Sequence, residues 1–140
     1  RDTDTEGFVT DYLRTLPLTV DIDIADKKLT MVHASPPDSV MDGIRLLDET
    51  GRLIEPQKRA WGVALESLSA DILVVGHTHQ VFAERIGHLL VVNPGSTLFN
   101  HTCAVLSLPA MEVCIYPLSG KKPVLSWNFS MFNDPNLYGL

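Results

Sequence analysis

Little in this 140-residue chain points toward disulfides, membranes or nucleic acid. Cysteine is scarce: Cys103 and Cys114 are the whole supply, and no C-x-x-C spacing occurs. That favours reduced cysteines over a disulfide. The two read as reduced core residues on neighbouring strands, which suits the cytosol, and a cytoplasmic location is expected. Basic residues are few as well. Lys and Arg number 11 against 17 Asp and Glu, and the longest basic run is Lys121-Lys122. Binding to a phosphate backbone needs a basic patch, so no nucleic-acid surface is expected. No apolar run approaches the roughly 20 residues of a membrane span, and no signal-peptide pattern is visible. No repeat, linker or low-complexity stretch divides the chain. With 45% hydrophobic residues it has material for one modest core.

The most informative stretch is Asp71–His79, D-I-L-V-V-G-H-T-H. Ile72 to Val75 form a short apolar run, the pattern of a strand buried on both faces. Gly76 permits a tight turn. His77 and His79 follow two residues apart, and in extended backbone both imidazoles would lie on one side. Two neutral imidazoles at the mouth of a buried strand make half of a metal site.

The remaining pattern is mixed α and β. Residues 3–16 predict a helix, with Thr3 and Glu6 as a capping box. Phe8, Val9, Tyr12, Leu13 and Leu16 share one face, expected in the core, and Pro17 ends the helix. Residues 18–24 and 28–34 predict a hairpin. Leu18, Val20, Ile22 and Ile24 alternate with polar residues, so one face should be buried and one wet. The second strand delivers His33, repeating the situation at His77: an apolar strand, then histidine, then a turn. Residues 39–50 predict a helix through Val40, Met41, Ile44 and Leu47, ended by Gly51. Residues 56–69 predict another, opened by Pro56 and striped by Ala60, Trp61, Ala64, Leu65 and Leu68. After His79 the pattern is all β. Val81–Ile86 and Leu89–Val92 flank a turn at Gly87-His88, where His88 should be exposed. Cys103–Leu108 and Met111–Leu118 flank Pro109-Ala110. His101 reads as structural or exposed. Leu125, Trp127, Phe129 and Met131 alternate with polar residues, as in a strand that closes a sheet edge or pairs with another chain.

Three pieces stand in order: V-H-A-S-P at 32–36, G-H-T-H at 76–79 and V-V-N-P-G-S at 91–96. Together they resemble the C-terminal half of calcineurin-like metallophosphoesterases, especially the small bacterial and archaeal phosphodiesterase type. The resemblance runs from near residue 8 to near residue 118. It implies an α/β fold, the second half of a four-layer αββα sandwich. Residues 1–118 would be the C-terminal portion of that domain and residues 119–140 a tail, an edge strand or dimer arm.

The same resemblance implies that His33 and His77 bind one metal and His79 a second. Two divalent transition ions (Mn, Fe, Zn, Co or Ni) suit imidazole ligands better than Ca or Mg. Held about 3.5–4 Å apart, such a pair activates a water and clamps phosphoryl oxygens. The expected activity is hydrolysis of a phosphodiester or phosphomonoester by metal-activated hydroxide. The sequence departs from the family in lacking its D-x-H, G-D-x-x-D and G-N-H-[DE] motifs. Those would supply the bridging Asp, an Asn ligand and the acid His, expected upstream of Arg1. The expected partners are thus a phosphate-ester substrate, a missing N-terminal half or second chain, and a second copy through residues 125–131. Alone, the chain is expected to be inactive. Two other readings stay open: a non-catalytic scaffold, as in the retromer subunit of this fold, and an unrelated domain with a mononuclear three-histidine site or none.

Overall fold

The computed structural model describes residues 7–37, 39–118 and 120–127. A five-stranded mixed sheet organises them. Its strands are β1 (Thr19–Ile24), β2 (Lys27–Val32), β3 (Ile72–Val74), β4 (Val81–Ile86) and β5 (Leu89–Pro94), in the spatial order β1-β2-β3-β5-β4. The three central strands run parallel, and the two outer ones pair antiparallel with their neighbours. A separate antiparallel hairpin is formed by β6 (Thr102–Ser107) and β7 (Glu112–Pro117). Two helices complete the described elements: α1 (Phe8–Thr15) and α2 (Glu55–Ala64).

The apolar run at 72–75 behaves as a strand buried on both faces. Leu73 and Val75 join one core, and Ile72 joins the other. β5 alternates in the same way: Leu89 and Val91 face the first core, Leu90 and Val92 the second. The first core lies under α2 and the loop that carries Ile44, Leu46 and Leu47. The second is closed by the β6–β7 hairpin through Ala104, Leu106 and Val113. Fully burying one Leu or Ile side chain contributes about 1.5–3 kcal/mol, so β3 and β5 anchor the fold. Lys58 Nζ donates to Glu84 Oε2 at 2.6 Å and ties α2 to β4.

Several expectations are corrected. The helix at 39–50 does not form. That segment is irregular, closed by a bridge between Leu47 and Leu53, because Gln80 reaches in and takes its backbone groups. The side-chain carbonyl of Gln80 accepts from Leu46 and Leu47 N–H, and its amide donates to Leu47 O. The helix expected over 56–69 ends at Ala64, and only its Trp61, Leu65 and Leu68 pack inward. Helix α1 forms, yet none of its side chains is buried: Phe8 is 72% and Tyr12 64% exposed. The capping box at Thr3 and Glu6 lies outside the described residues. Nor does β1 bury a face. Val20 and Ile22 point to the hairpin side, paired with Met31 and Leu29, but the hairpin does not reach them, and they remain 39% and 41% exposed. The cysteines are not core residues. They sit on the outer face of β6–β7, Cys103 half-buried and Cys114 exposed, and both are free. A hairpin laid on a sheet buries one face, and the alternation gave that face to Ala104, Leu106 and Val113. His88 is exposed in its turn as expected, while His101 is buried.

Among the described residues no helix is long and apolar enough to cross a membrane.

Candidate metal centre

The carboxyl ends of β2 and β3 lie side by side, because the strands are parallel with Met31 opposite Val74. The residues that follow therefore meet. Gly76 N–H donates to His33 O at 2.9 Å, joining the two loops just past the strands. The outcome is a close imidazole pair: His33 Nε2 and His77 Nδ1 stand 3.2 Å apart, ring centroids 5.2 Å apart and nearly perpendicular. Ligand loops at the carboxyl ends of parallel strands are the general placement in α/β sheets.

The G-H-T-H backbone is not extended, which corrects the expectation for His77 and His79. Thr78 N–H bonds back to Gly76 O at 2.7 Å, and His77 lies at φ 63°, His79 at φ 50°. Each left-handed non-glycine residue costs about 1–2 kcal/mol, so the loop must be held by its surroundings. Thr78, between the two histidines, is buried and donates through Oγ1 to Ile44 O at 3.1 Å. Asn93, fully buried, donates to Gly76 O at 3.2 Å and Thr78 Oγ1 at 3.1 Å, while its own Oδ1 accepts from Gly95 N–H. Asn100, also fully buried, donates to His79 O at 2.7 Å. Gly95 must be glycine. It has φ 76°, and a Cβ there would come within 2.7–2.9 Å of Val81, Thr102 and Asn100.

The turn sends the two rings to different neighbours. His77 meets His33. His79 stacks on Phe99 at 4.7 Å and meets the edge of Trp127 at 5.3 Å. Burial lowers the His79 pKa below the ordinary histidine value, and the charges of His77, Arg45 and His33 act in the same direction. That shift favours the neutral imidazole, the form that binds metal. The His33–His77 spacing also suits a shared ion. Two nitrogens bound to one zinc at about 2.0–2.1 Å with a near-tetrahedral angle stand roughly 3.3 Å apart. Among the described residues no group of three or more His, Cys, Asp or Glu converges. The chain brings His33 and His77 together, and among the described residues neither His79 nor a carboxylate completes a group of three with them.

A model of the calcineurin-like phosphoesterase superfamily domain matches residues 3–110. The chain belongs to the calcineurin-like phosphoesterase superfamily. No curated protein matches it. Among solved structures, a hypothetical protein from Pyrococcus horikoshii OT3 superposes with a TM-score of 0.60 at 20% identity, over 93% of this chain and 49% of that one. A novel archaeal phosphodiesterase gives 0.47 at 19% identity, over 72% and 51%. Wild-type Vps29 from Entamoeba histolytica, complexed with Zn2+, gives 0.47 at 24%, over 73% and 53%. The chain therefore spans about half the length of these neighbours. Its mixed sheet with few helices is the phosphoesterase fold.

Within that superfamily fold, the residues that hold the histidine loops carried weaker sequence signals than the histidines. Asn93 lies in the N-P-G-S motif, but its role as the clamp of the G-H-T-H turn depends on β5 lying beside β3. Gly43 ends up against Thr78 and His77 although nothing in its local pattern marks it. Asn100 and Trp127 reach His79 from segments that the three motifs do not include.

Proposed function

We propose that this chain supplies the histidine side of a dinuclear metal centre, and that the complete protein hydrolyses a phosphate ester. The observation that carries this reading is the His33–His77 pair, two ring nitrogens 3.2 Å apart at the ends of adjacent parallel strands in a phosphoesterase fold. In the proposed centre His33 and His77 hold one ion and His79 the other. Bound divalent metal would supply Lewis-acid charge and lower the pKa of a water. The chain's part is to present the imidazoles of His77 and His79 from a strained, clamped loop beside His33, so that little reorganises when ligand arrives.

Three histidines alone cannot balance two dications, and among the described residues no carboxylate joins the His33–His77 pair, so we propose that acidic ligands come from another segment or a second chain. The surface supports that source. A groove of about 380 Å³ runs past Pro17, Leu18, Val20, Met31 and Val74 and ends at His33 and Gly76. Its lining includes both Val20 of the exposed β1 face and His33, so a polypeptide lying in the groove would touch His33. We further propose that the substrate is a phosphodiester or phosphomonoester and that the ions are drawn from Mn, Fe, Zn, Co and Ni.

The test uses the gene product as purified from its native cells, beside a His77→Ala version. Metal content is measured by elemental analysis and activity on bis(p-nitrophenyl) phosphate. The expected result is loss of bound metal and a fall in rate of at least about 100-fold, since removing a ligand removes the activated water. Unchanged metal content and unchanged rate in His77→Ala would overturn the reading. If metal is bound through His77 and no ester is hydrolysed by either form, the fold serves as a scaffold instead.

A further inference from the structure

Three rings converge beside the G-H-T-H turn. His79 stacks on Phe99 at 4.7 Å with planes 29° apart, Trp127 lies edge-on to His79 at 5.3 Å, and Phe99 and Trp127 are 4.3 Å apart. Trp127 stands beyond β7 and outside the three family-like motifs, yet it is only 4% exposed. The reason is a strap. Residues 124–127 cross back over the loop that carries His79. Val81 N–H donates to Leu125 O at 2.8 Å, and Ser126 bridges Gln80. Trp127 N–H donates to His79 O at 3.1 Å. Asn100 joins strap and loop by donating to both His79 O and Val124 O at 2.7 Å. Leu125 fits against Gly51, where a Cβ would come within 2.8 Å of it.

Resting on the metal reading above, we propose that Trp127 and Phe99 are positioning residues for the His79 imidazole, with the 124–127 strap as their support. The argument is geometric. His79 has a left-handed backbone and sits in a loop, so its ring would sample several rotamers if left to solvent. Trp127 N–H from the strap and the Asn100 amide fix its carbonyl, and the two aromatic rings fix its side chain. Partners that orient a ligand typically contribute 10- to 100-fold in metal affinity. The rings play this part here by contact with the imidazole, Phe99 stacked on it and Trp127 in a T-shaped arrangement. Pure core packing would bury Trp127 equally well, so the test must read the ligand.

The experiment takes the full chain and titrates it with CoCl2 alone, following the ring resonances of the histidines by NMR. Titrations in a His79→Ala background and in a His33→Ala/His77→Ala background report the apparent affinity at the His33–His77 pair and at His79 separately. Trp127→Ala is expected to weaken Co2+ binding at His79 by about 10- to 100-fold and to leave the pair unchanged, and Trp127→Phe to restore most of the loss. Phe99→Leu, read in the same way, is expected to weaken His79 and stands in if Trp127→Ala does not fold. Co2+ binding at His79 within about twofold of the parent in Trp127→Ala or Phe99→Leu overturns the positioning role and leaves the metal centre standing. If Co2+ reaches the pair in the parent chain and not His79, the inference falls alone. If it reaches none of the three, the metal reading falls with it.

Discussion

Gly43 lies so close to Thr78 that a methyl group built on it would collide with Thr78 Cγ2 and stand 3.2 Å from His77 Cδ2. The contact joins the irregular 39–54 segment to the turn between the two site histidines. Its tightness explains how a segment with no regular structure still fixes the loop: Gly43 lets the chain approach, and Ile44 O then accepts from Thr78 Oγ1.

Gly43→Ala should therefore destabilise the fold, and Thr78→Ser should relieve it. Thr78 is β-branched and buried, so its methyl cannot swing away cheaply. Overpacking of this kind costs about 1–3 kcal/mol. Thr78→Ser removes the obstructing methyl and keeps the hydroxyl that bonds Ile44. In a double-mutant cycle by chemical denaturation, the Gly43→Ala penalty should shrink by at least half in the Thr78→Ser background. Equal penalties in both backgrounds would place the strain elsewhere.

His101 poses the opposite problem. It is 6% exposed, sits at φ 56°, and neither ring nitrogen has a hydrogen-bond partner among the described residues. A buried polar group without a partner costs about 1–3 kcal/mol, and an apolar replacement of similar shape removes that cost. His101→Leu should thus be close to neutral in thermal denaturation, because removing two unpaired buried nitrogens offsets the poorer fit of Leu to the left-handed backbone. A loss above about 1 kcal/mol would show that the ring is bonded after all.

What the sequence showed, and what it hid, follows from the range of each interaction. The strands at 72–75 and 81–92 and the turn at Gly87-His88 were legible because their residues alone set the pattern, apolar on both faces or flanking a glycine. The histidines were legible as candidate ligands because His33 and His77 each follow a strand. Their pairing was not, since it depends on β2 and β3 lying parallel in one register. The left-handed turn at His77 and His79 was also hidden. Asn93 and Asn100 enforce it from 14 or more residues away in sequence. The false helix at 39–50 arose because Val40, Met41, Ile44 and Leu47 have helical spacing. Gln80, a single buried amide, bonds the segment's backbone in another shape. Periodicity reports which residues want burial and cannot report which polar group will be waiting.

The exposed apolar face gives the last prediction. Val20, Ile22 and Ile24 on β1, with Met31 on β2, form one stripe on the hairpin side of the sheet, and Phe8, Val9, Tyr12 and Leu13 on the preceding helix are exposed as well. Stable monomers rarely leave apolar patches above a few hundred Å² uncovered, and among the described residues β1 is also an edge of the sheet. The isolated chain is therefore expected to self-associate, with a sedimentation coefficient that rises with concentration. Val20→Thr with Ile22→Thr keeps β-branched strand formers while removing apolar surface, and should shift the chain toward monomer. Both positions are about 40% exposed in the folded chain, so the cost in stability should stay within about 1 kcal/mol. Leu125→Ser serves as the control, because it trims the stretch that would carry pairing through residues 125–131. If Leu125→Ser dissolves the association and the β1 pair does not, the tail is the adhesive surface, and the sheet face is quieter than its composition implies. If the β1 pair alone yields monomer, that face is where further polypeptide belongs, and the groove leading from it to His33 becomes the path by which acidic ligands reach the site.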